Sequence, residues 1–314
     1  MASESAPRIV SLIASSTEIV HALGMGKFMV GRSHECDYPL AVKDLPVCTG
    51  PKFNVDGSSY EIDQRVKAIV QESLSVYKVY ADKLNELAPT HIITQAQCEV
   101  CAVSLKDVEV AVCDLITSQP HVVSLQPDCL EDVWTDIRKV GDALDITEKA
   151  EAVIIGLKQR ISEVSEKAIA VSQKEKRSVA IIEWIDPLMA AGNWMPELVE
   201  LVGGKNLFGV AGKHSPWMEW SDVVAKDPDV LIVTPCGFDN KRTLQEMHLI
   251  SGKPGYDNLK AVKNKHVYVA DGNQYFNRPG PRLVESLEMM AEMIYPEHFD
   301  YGHKGTGWIV FPGA

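Results

Sequence analysis

The chain has 314 residues, more than one compact hydrophobic core usually holds, so we expect two lobes. Its 46% hydrophobic and 24% charged residues are typical of a soluble globular protein, and no stretch is apolar enough for membrane insertion. The formal net charge is −12 and Lys and Arg do not cluster, which argues against a nucleic-acid partner.

The N-terminal part of the chain alternates strand and helix patterns. Strands are predicted at 8–13, 28–31, 91–94 and 121–125, and helices at 15–23, 81–87 and 108–115. Ser15 to Glu18 offer N-caps for the first helix, and Gly24 ends it. The alternation predicts an α/β lobe over 8–127, with a mostly parallel sheet covered by helices.

The middle of the chain, residues 128–173, has no strand pattern. Apolar residues recur at helical spacing from Leu130 to Ala168, with a break at 145–147. This spacing predicts one long helix between the lobes, about 60 Å in length if unbroken.

The C-terminal part repeats the alternation over residues 174–296. Strands are predicted at 178–182, 230–234 and 267–270, and helices at 198–202, 220–225 and 282–294. Residues 297–314 are expected to form a C-terminal tail. The predicted fold class is therefore α/β, with two lobes, each a mostly parallel sheet flanked by helices, joined by one long helix.

The first residues and the cysteines give indications of the cellular location. Met1 to Pro7 lack the basic segment of a signal peptide, and seven irregularly spaced cysteines do not suggest a disulfide framework. As the sequence stands, we expect a cytoplasmic protein. If a signal peptide preceding this start had been removed, the location would be periplasmic or otherwise extracytoplasmic.

Two clusters of polar and thiol side chains follow predicted strands of the first lobe. One covers residues 33–39 and the other residues 95–101. Ligands bind at the carboxyl ends of strands in open α/β sheets, so we expect one site there. His34, Cys36, Cys98 and Cys101 are candidate ligands of a transition metal. The alternatives are a loop with Asp37 as a helix cap, buried inert thiols, or a redox pair at Cys98 and Cys101.

Aromatic residues mark the second lobe. Trp184, Trp194, Trp217, Trp220 and Phe276 fall largely in loops after its strands, where rigid rings would grip a large planar ligand. The alternative is that some of them cover the edge of the core. No Gly-x-Ser-x-Gly, Walker or Gly-x-Gly-x-x-Gly motif is present, so we expect no catalysis.

Six segments carry a resemblance to a known family, in the family's order. They are Arg8–Glu18, Gly31–Pro39, Leu87–Ile93, Leu201–Phe208, Asp227–Thr234 and Arg278–Arg282. The chain resembles, over about 8–296, the cobalamin-type and ferric-siderophore-type substrate-binding proteins of ABC importers. The cluster from Cys98 to Cys101 is similar to that of a cobalamin-binding subgroup without a signal peptide.

The resemblance implies a corrinoid, cobalamin-like ligand held in an interlobe cleft without turnover, and an ABC-transporter permease as candidate partner. It also implies that the loop of Lys52 and Phe53, and the loop of Arg278, face the cleft. A guanidinium there suits an amide, carboxylate or phosphate, although Arg278 could instead form a surface salt bridge. The expected ligand-binding residues are Glu35, Cys36, Tyr38, Lys52, Phe53, Gln97, Cys98, Glu99, Trp184, Trp194, Trp217, Phe276 and Arg278.

Two alternatives for the function stay open. One is a haem or ferric-chelate binding protein. The other is a metal-dependent or thiol-dependent enzyme that uses His34, Cys36, Cys98 and Cys101, with a bound metal ion.

Overall fold

The computed structural model describes residues 6–71, 76–95 and 117–313, and the chain divides into two compact units. Unit 1 comprises Met1–Gly57, Gln64–Pro127 and Glu131–Ile155. Unit 2 comprises Ser58–Asp63, Asp128–Leu130 and Gly156–Ala314. Both units have α/β structure, which confirms the predicted fold class. Within the described residues, no helix is long and apolar enough to cross a membrane.

Unit 1 contains a four-stranded parallel sheet and a small two-stranded sheet. The strands in chain order are β1 (Ile9–Ser11), β2 (Met29–Arg32), β3 (Thr49–Pro51), β4 (Tyr77–Val79), β5 (His91–Gln95) and β6 (His121–Leu125). The parallel sheet has the order β2–β1–β5–β6, and β3 pairs with β4 in antiparallel fashion. The four strands predicted from apolar runs are therefore confirmed, with ends shifted by up to two residues. The helix predicted at 108–115 lies outside the described residues.

The short pair β3–β4 and one helix were not predicted. Each of the two strands has three residues, too few to show a period, and β3 contains Gly50 and Pro51, which are rare in strands. The helices in this part of the chain are α1 (Ala14–Ala22), α2 (Ser59–Gln71) and α3 (Ala81–Leu87), and the first residues of α2 belong to unit 2. The two buried residues of helix α2 are polar, Ser59 and Asp63, although Ile62, Val66 and Ile69 recur at helical spacing and were a usable signal for it.

Helix α1 starts earlier than its expected caps. Its N-cap is Ile13, which makes no side-chain cap, so the prediction of N-caps at Ser15 to Glu18 is wrong. Ser16 and Thr17 lie in the first turn, where their hydroxyls donate to the carbonyl oxygen of Ile13 at 3.0 and 3.4 Å. The prediction that the helix stops before Gly24 is confirmed, and Gly24 adopts a left-handed φ of 67°.

The segment between the two large sheets is helical except for one break. It contains α4 (Leu130–Ala143) and α5 (Thr147–Ser172). Asp145 adopts a left-handed φ of 56° between them, which ends α4. Helix α5 has 26 residues, roughly 40 Å at 1.5 Å per residue, and begins in unit 1 and ends in unit 2.

Unit 2 is built on a six-stranded sheet. Its strands are β7 (Ser178–Trp184), β8 (Met189–Ala190), β9 (Lys205–Asn206), β10 (Val230–Val233), β11 (Val267–Ala270) and β12 (Trp308–Val310). The order is β12–β11–β10–β7–β8, with β9 also on β7, and only β8 and β12 run antiparallel to their neighbours. Its helices are α6 (Met195–Leu201), α7 (Trp220–Lys226), α8 (Asn240–Glu246), α9 (His248–Ser251), α10 (Lys260–Lys263) and α11 (Leu283–Ile294).

The predicted strands and helices of the second lobe are confirmed apart from their ends. Strands β10 and β7 are buried along their apolar runs, as expected for parallel strands covered on both faces. The tail expected from residue 297 contributes β12, and Trp308 within it is 2% exposed. The C-terminal segment is therefore part of the sheet of unit 2.

Candidate functional site

The carboxyl ends of β1 and β5 form the point at which the connections of the unit 1 sheet diverge. Strand β1 lies between β2 and β5, so the chain leaves it toward one side and returns on the other. Ser15, at the start of α1, donates a hydrogen bond to Oε1 of Gln95, the last residue of β5, at 3.3 Å. Open parallel sheets bind ligands at such points.

The loop after β2 places His34 against the small sheet. Backbone N–H of His34 donates to Oγ1 of Thr49 at 3.1 Å, and its Nδ1 lies 2.8 Å from the same oxygen. The imidazole also packs on Tyr77, with ring centroids 5.0 Å apart and planes tilted by 59°. Burial, with a smaller effect of Arg32, lowers the pKa of His34, so the neutral ring is favoured.

Glu35 is held by the same small sheet. The hydroxyl of Tyr77 donates to its Oε1 at 2.8 Å, and the backbone N–H of Glu35 donates to Oγ of Ser33 at 3.3 Å. Strands β3 and β4 therefore position two predicted site residues, His34 and Glu35. Sequence reasoning missed their partners Thr49 and Tyr77, because the pairing of β3 with β4 joins residues about 30 positions apart.

Cys36 lies in the core rather than at a surface open to a ligand. Its side chain is 1% exposed, packs with Ala14 and Val42, and accepts a hydrogen bond from Oγ1 of Thr17 at 3.0 Å. This environment is that of a small buried hydrophobic side chain, and the assignment of Cys36 as a ligand contact stays a prediction. Nearby Cys48 is also buried, and burial raises the pKa of its thiol to about 11.

The remaining predicted residues of unit 1 differ in accessibility. Tyr38 and Lys52 are exposed and Phe53 is half-buried. Gln97, Cys98, Glu99 and Cys101 lie outside the described residues, so the predicted thiol cluster stays a prediction. In the part of the chain that is described, no group of three or more His, Cys, Asp or Glu side chains is placed to hold a metal ion.

In unit 2, two of the predicted aromatic residues belong to the core. Phe276 is fully buried, and Trp194 is 5% exposed and donates from Nε1 to the carbonyl oxygen of Phe276 at 2.9 Å. Both rings are covered by their neighbours, and their assignment as ligand contacts stays a prediction. Trp220 also has a packing role, since it stacks on Tyr256 and donates to the carbonyl oxygen of Pro254 at 2.9 Å.

Trp184 and Trp217 are the more accessible aromatic residues of the predicted set. Trp184 ends β7, and its ring centroid is 5.3 Å from that of Phe238, which follows β10. Its indole Nε1 has no hydrogen-bond partner among the described residues. Trp217 is 56% exposed. Phe238 was missed by sequence reasoning, although its position after an apolar strand is a usable signal.

Guanidinium groups lie beside these rings at the same edge of the sheet. Arg242 lies over Phe238 with its carbon 4.2 Å from the ring centroid, and Arg282 lies over Tyr275 at 4.1 Å. Arg278 is 5% exposed, so it lies within unit 2 rather than on its surface.

Asp271 adds a buried carboxyl group directly after β11. Its Oδ1 accepts hydrogen bonds from the backbone N–H groups of Asn273 and Gln274 at 2.9 and 2.8 Å. Burial raises the pKa of this carboxyl, and Arg278 acts in the opposite direction. The loop that follows β11 is therefore ordered by its own first residue. The same loop carries Tyr275 and Arg278.

Comparison with known proteins gives a consistent family. The sequence profile described as "Periplasmic binding protein" matches residues 9–273. The chain is 29% identical over 297 residues to an uncharacterized ABC transporter substrate-binding lipoprotein, YvrC, of Bacillus subtilis, covering 93% of this chain and 81% of that protein. It is 24% identical over 290 residues to the vitamin B12-binding protein of Vibrio vulnificus, covering 91% and 89%.

Solved structures show the same fold. A periplasmic heme binding protein from Pseudomonas aeruginosa superimposes with a TM-score of 0.69 at 20% identity, covering 93% of this chain and 94% of that one. The periplasmic vitamin B12 binding protein BtuF of Vibrio cholerae gives 0.64 at 18% identity, covering 92% and 96%. At these identities the likeness establishes the fold alone.

Proposed function

Because the chain belongs to the periplasmic binding protein family, we propose that it binds a corrinoid, cobalamin-like ligand without turnover and presents it to an ABC-transporter permease. The observation that carries the corrinoid assignment is the similarity to vitamin B12-binding proteins over nine-tenths of the chain. Two of these are 24% and 23% identical to it.

The chemistry at the carboxyl ends of the strands supports this assignment. A corrin has broad apolar faces and a rim of amides. Trp184 and Phe238 offer adjacent rings, which suit the apolar face of a corrin. In unit 1, Glu35 is a carboxylate acceptor for an amide N–H, and exposed Tyr38 adds a further ring.

We also propose an extracytoplasmic location in preference to the cytoplasmic one expected from the sequence. The matching family is described as periplasmic, and the relative in Bacillus subtilis is described as a lipoprotein. A binding protein that delivers cargo to an importer works on the outer side of the membrane.

A haem or ferric-chelate ligand is the second candidate, favoured by the positive charge in unit 2. Guanidinium groups bind carboxylates in bidentate fashion, and haem carries two propionates. However, Arg242 pairs with Glu246 at 2.5 Å and Arg282 with Glu285 at 3.4 Å, so part of this charge is already neutralised. This pairing favours the neutral amide rim of a corrinoid over an anionic rim.

The test is a comparison of three ligands on the purified full chain. Aquocobalamin, hemin and ferrichrome are titrated separately by calorimetry, with tryptophan fluorescence recorded in parallel. We expect aquocobalamin to bind most tightly and to quench fluorescence, because Trp184 lies at the proposed site. Tighter binding of hemin or ferrichrome would replace the corrinoid assignment by the second candidate, and binding of none would contradict both.

A further inference from the structure

The hydrogen-bond directions around His34 locate the proton on its ring. The hydroxyl of Thr49 donates its single proton to Oγ of Ser33 at 3.1 Å. Its oxygen can then accept from His34, both from the backbone N–H at 3.1 Å and from Nδ1 at 2.8 Å. Oγ of Ser33 lies farther from Nδ1, at 3.5 Å. We therefore assign the ring proton to Nδ1, which leaves the lone pair of the neutral ring on Nε2.

The ring that carries this lone pair is held from two sides. Thr49 fixes both the backbone and Nδ1 of His34, and the Tyr77 ring packs against the imidazole. Tyr77 is itself anchored through its hydroxyl to Glu35 at 2.8 Å. Such support of the second ring nitrogen is the arrangement found around histidines that ligate metals. Little side-chain entropy is then lost when Nε2 forms a bond.

Nε2 itself is uncommitted. Within residues 6–71, 76–95 and 117–313 it has no hydrogen-bond partner, and it is absent from the fully buried polar atoms that lack one. His34 is half-buried and lies directly after β2, at the edge of the sheet where ligands bind.

We propose that Nε2 of His34 is an axial ligand to the metal of the bound macrocycle, so that the protein prefers corrinoids or porphyrins whose metal has an exchangeable axial position. This inference rests on the proposed function. On binding, the Nε2 lone pair forms the bond to cobalt or iron and one axial water leaves, while the ring proton stays on Nδ1, hydrogen-bonded to the oxygen of Thr49. No electron is transferred.

The competing role for Nε2 is to accept a hydrogen bond from an amide of the ligand. That role leaves the axial groups of the metal unchanged, whereas ligation replaces an oxygen ligand by nitrogen. The visible spectrum of a corrinoid reports its axial ligands directly. Diaquacobinamide, which has exchangeable waters, and dicyanocobinamide, in which cyanide blocks both faces, therefore separate the two roles.

The experiment titrates both cobinamides into the wild-type chain and into the variant His34→Ala. The matched control is His121→Ala, which removes an exposed histidine of the same unit.

We expect a nitrogen-ligated spectrum with diaquacobinamide in the wild type and in His121→Ala. His34→Ala should lack this shift and bind diaquacobinamide about ten-fold more weakly or worse, with added imidazole restoring the spectrum. Dicyanocobinamide should bind both variants alike. Thr49→Val should weaken diaquacobinamide binding by about ten- to a hundred-fold through loss of orientation.

The outcomes separate this inference from the proposed function. Binding of both cobinamides with no spectral shift in the wild type, or an equal shift in His34→Ala, overturns the ligation and leaves the corrinoid function standing. Binding of neither cobinamide overturns both. If His34→Ala does not fold, electron paramagnetic resonance of wild-type protein with cob(II)inamide decides. Splitting by a nitrogen nucleus that changes with isotopically labelled histidine supports the ligation, and its absence refutes it.

Discussion

Trp184 and Trp194 both follow the apolar run of β7 but have different surroundings. Trp184 pairs with Phe238 at 5.3 Å and keeps an unpartnered Nε1, whereas Trp194 is buried and bonded to the backbone of Phe276. We expect Trp184→Ala to weaken corrinoid binding by about ten-fold to several-hundred-fold, as for an aromatic hot spot. Trp194→Ala should instead lower the free energy of unfolding by about 3 to 5 kcal/mol.

Calorimetric binding and denaturant melts on the same variants measure these effects. Trp217→Ala is the control for exposure, because a side chain 56% exposed should change stability by no more than about 0.5 kcal/mol. Weakened affinity in that variant would place Trp217 at the ligand as well. Unchanged affinity in both Trp184→Ala and Trp217→Ala would contradict the aromatic site.

His303 gives a pH-dependent contribution to stability. Its Nε2 lies 2.9 Å from Oε2 of Glu288, whose Oε1 accepts from Arg160 at 2.7 Å. The hydrogen bond to Glu288 raises the pKa of His303. Burial alone would raise the pKa of Glu288, but the bonds from His303 and Arg160 lower it.

We expect the stability difference between the wild type and His303→Gln to depend on pH. Because the folded pKa of His303 is raised, its contribution is full below about pH 6.5 and is lost as pH rises through the folded value. At the acid end it is lost again as Glu288 is protonated, below the ordinary Glu pKa. Denaturant melts at several pH values measure it, with exposed His121→Gln as a control that should matter little at any pH. A difference that persists unchanged into alkaline solution would refute the ion pair.

At the scale of elements, the break between α4 and α5 depends on one residue. Asp145 is exposed and adopts a φ of 56°. The backbone N–H of the next residue, Ile146, donates a hydrogen bond to the carbonyl oxygen of Gly141 at 2.8 Å and so closes the end of α4. Only glycine adopts this backbone region without steric cost.

We therefore expect Asp145→Gly to raise the free energy of unfolding by about 0.5 to 1 kcal/mol and Asp145→Ala to lower it by a similar amount. Thermal and denaturant melts of the matched pair test this. If both variants are equally destabilised, the side chain of Asp145 rather than its backbone conformation holds the break.

At the scale of the whole molecule, the C-terminal segment is bound into the sheet of unit 2. Strand β12 pairs with β11, and Trp308 packs edge-on against Tyr268 with centroids 5.2 Å apart and donates from Nε1 to Oε2 of Glu292 at 2.5 Å. Without β12, the backbone of β11 would be an unpaired sheet edge.

We expect a chain truncated after Glu297 to melt at a clearly lower temperature and to aggregate. Trp308→Ala, which keeps the strand pairing, should lose about 3 to 5 kcal/mol but remain soluble. Melting curves and light scattering distinguish the two. A truncated chain with wild-type melting behaviour would show that β12 is dispensable.

Much of the fold follows from local sequence patterns. Apolar runs such as Val230–Val233 and the helical spacing from Leu130 to Ala168 predict their elements, because burial of a strand or a helix face selects residues at its own period. The loop after β2 was expected to carry a site because polar and thiol side chains follow a strand there, and that expectation stays a prediction. Helix α2 was missed, although Ser58 and Glu61 form a capping box at its start. The backbone N–H of Ser58 donates to Oε2 of Glu61 at 2.8 Å, and the backbone N–H of Glu61 donates to Oγ of Ser58 at 3.2 Å.

Other features were decided only by contacts between distant parts of the chain. The backbone N–H of Ser59 at the start of α2 is held by both carboxylate oxygens of Glu246, at 2.9 and 3.1 Å and 187 residues away. The sequence by itself determined the alternation of elements, the family resemblance and the loop that carries His34. Only the tertiary structure decided that Trp194 is buried while Trp217 is exposed, and that Thr49 orients the His34 ring. The physical reason is that burial and hydrogen-bond partners depend on which distant segments pack together, and no local pattern encodes that choice.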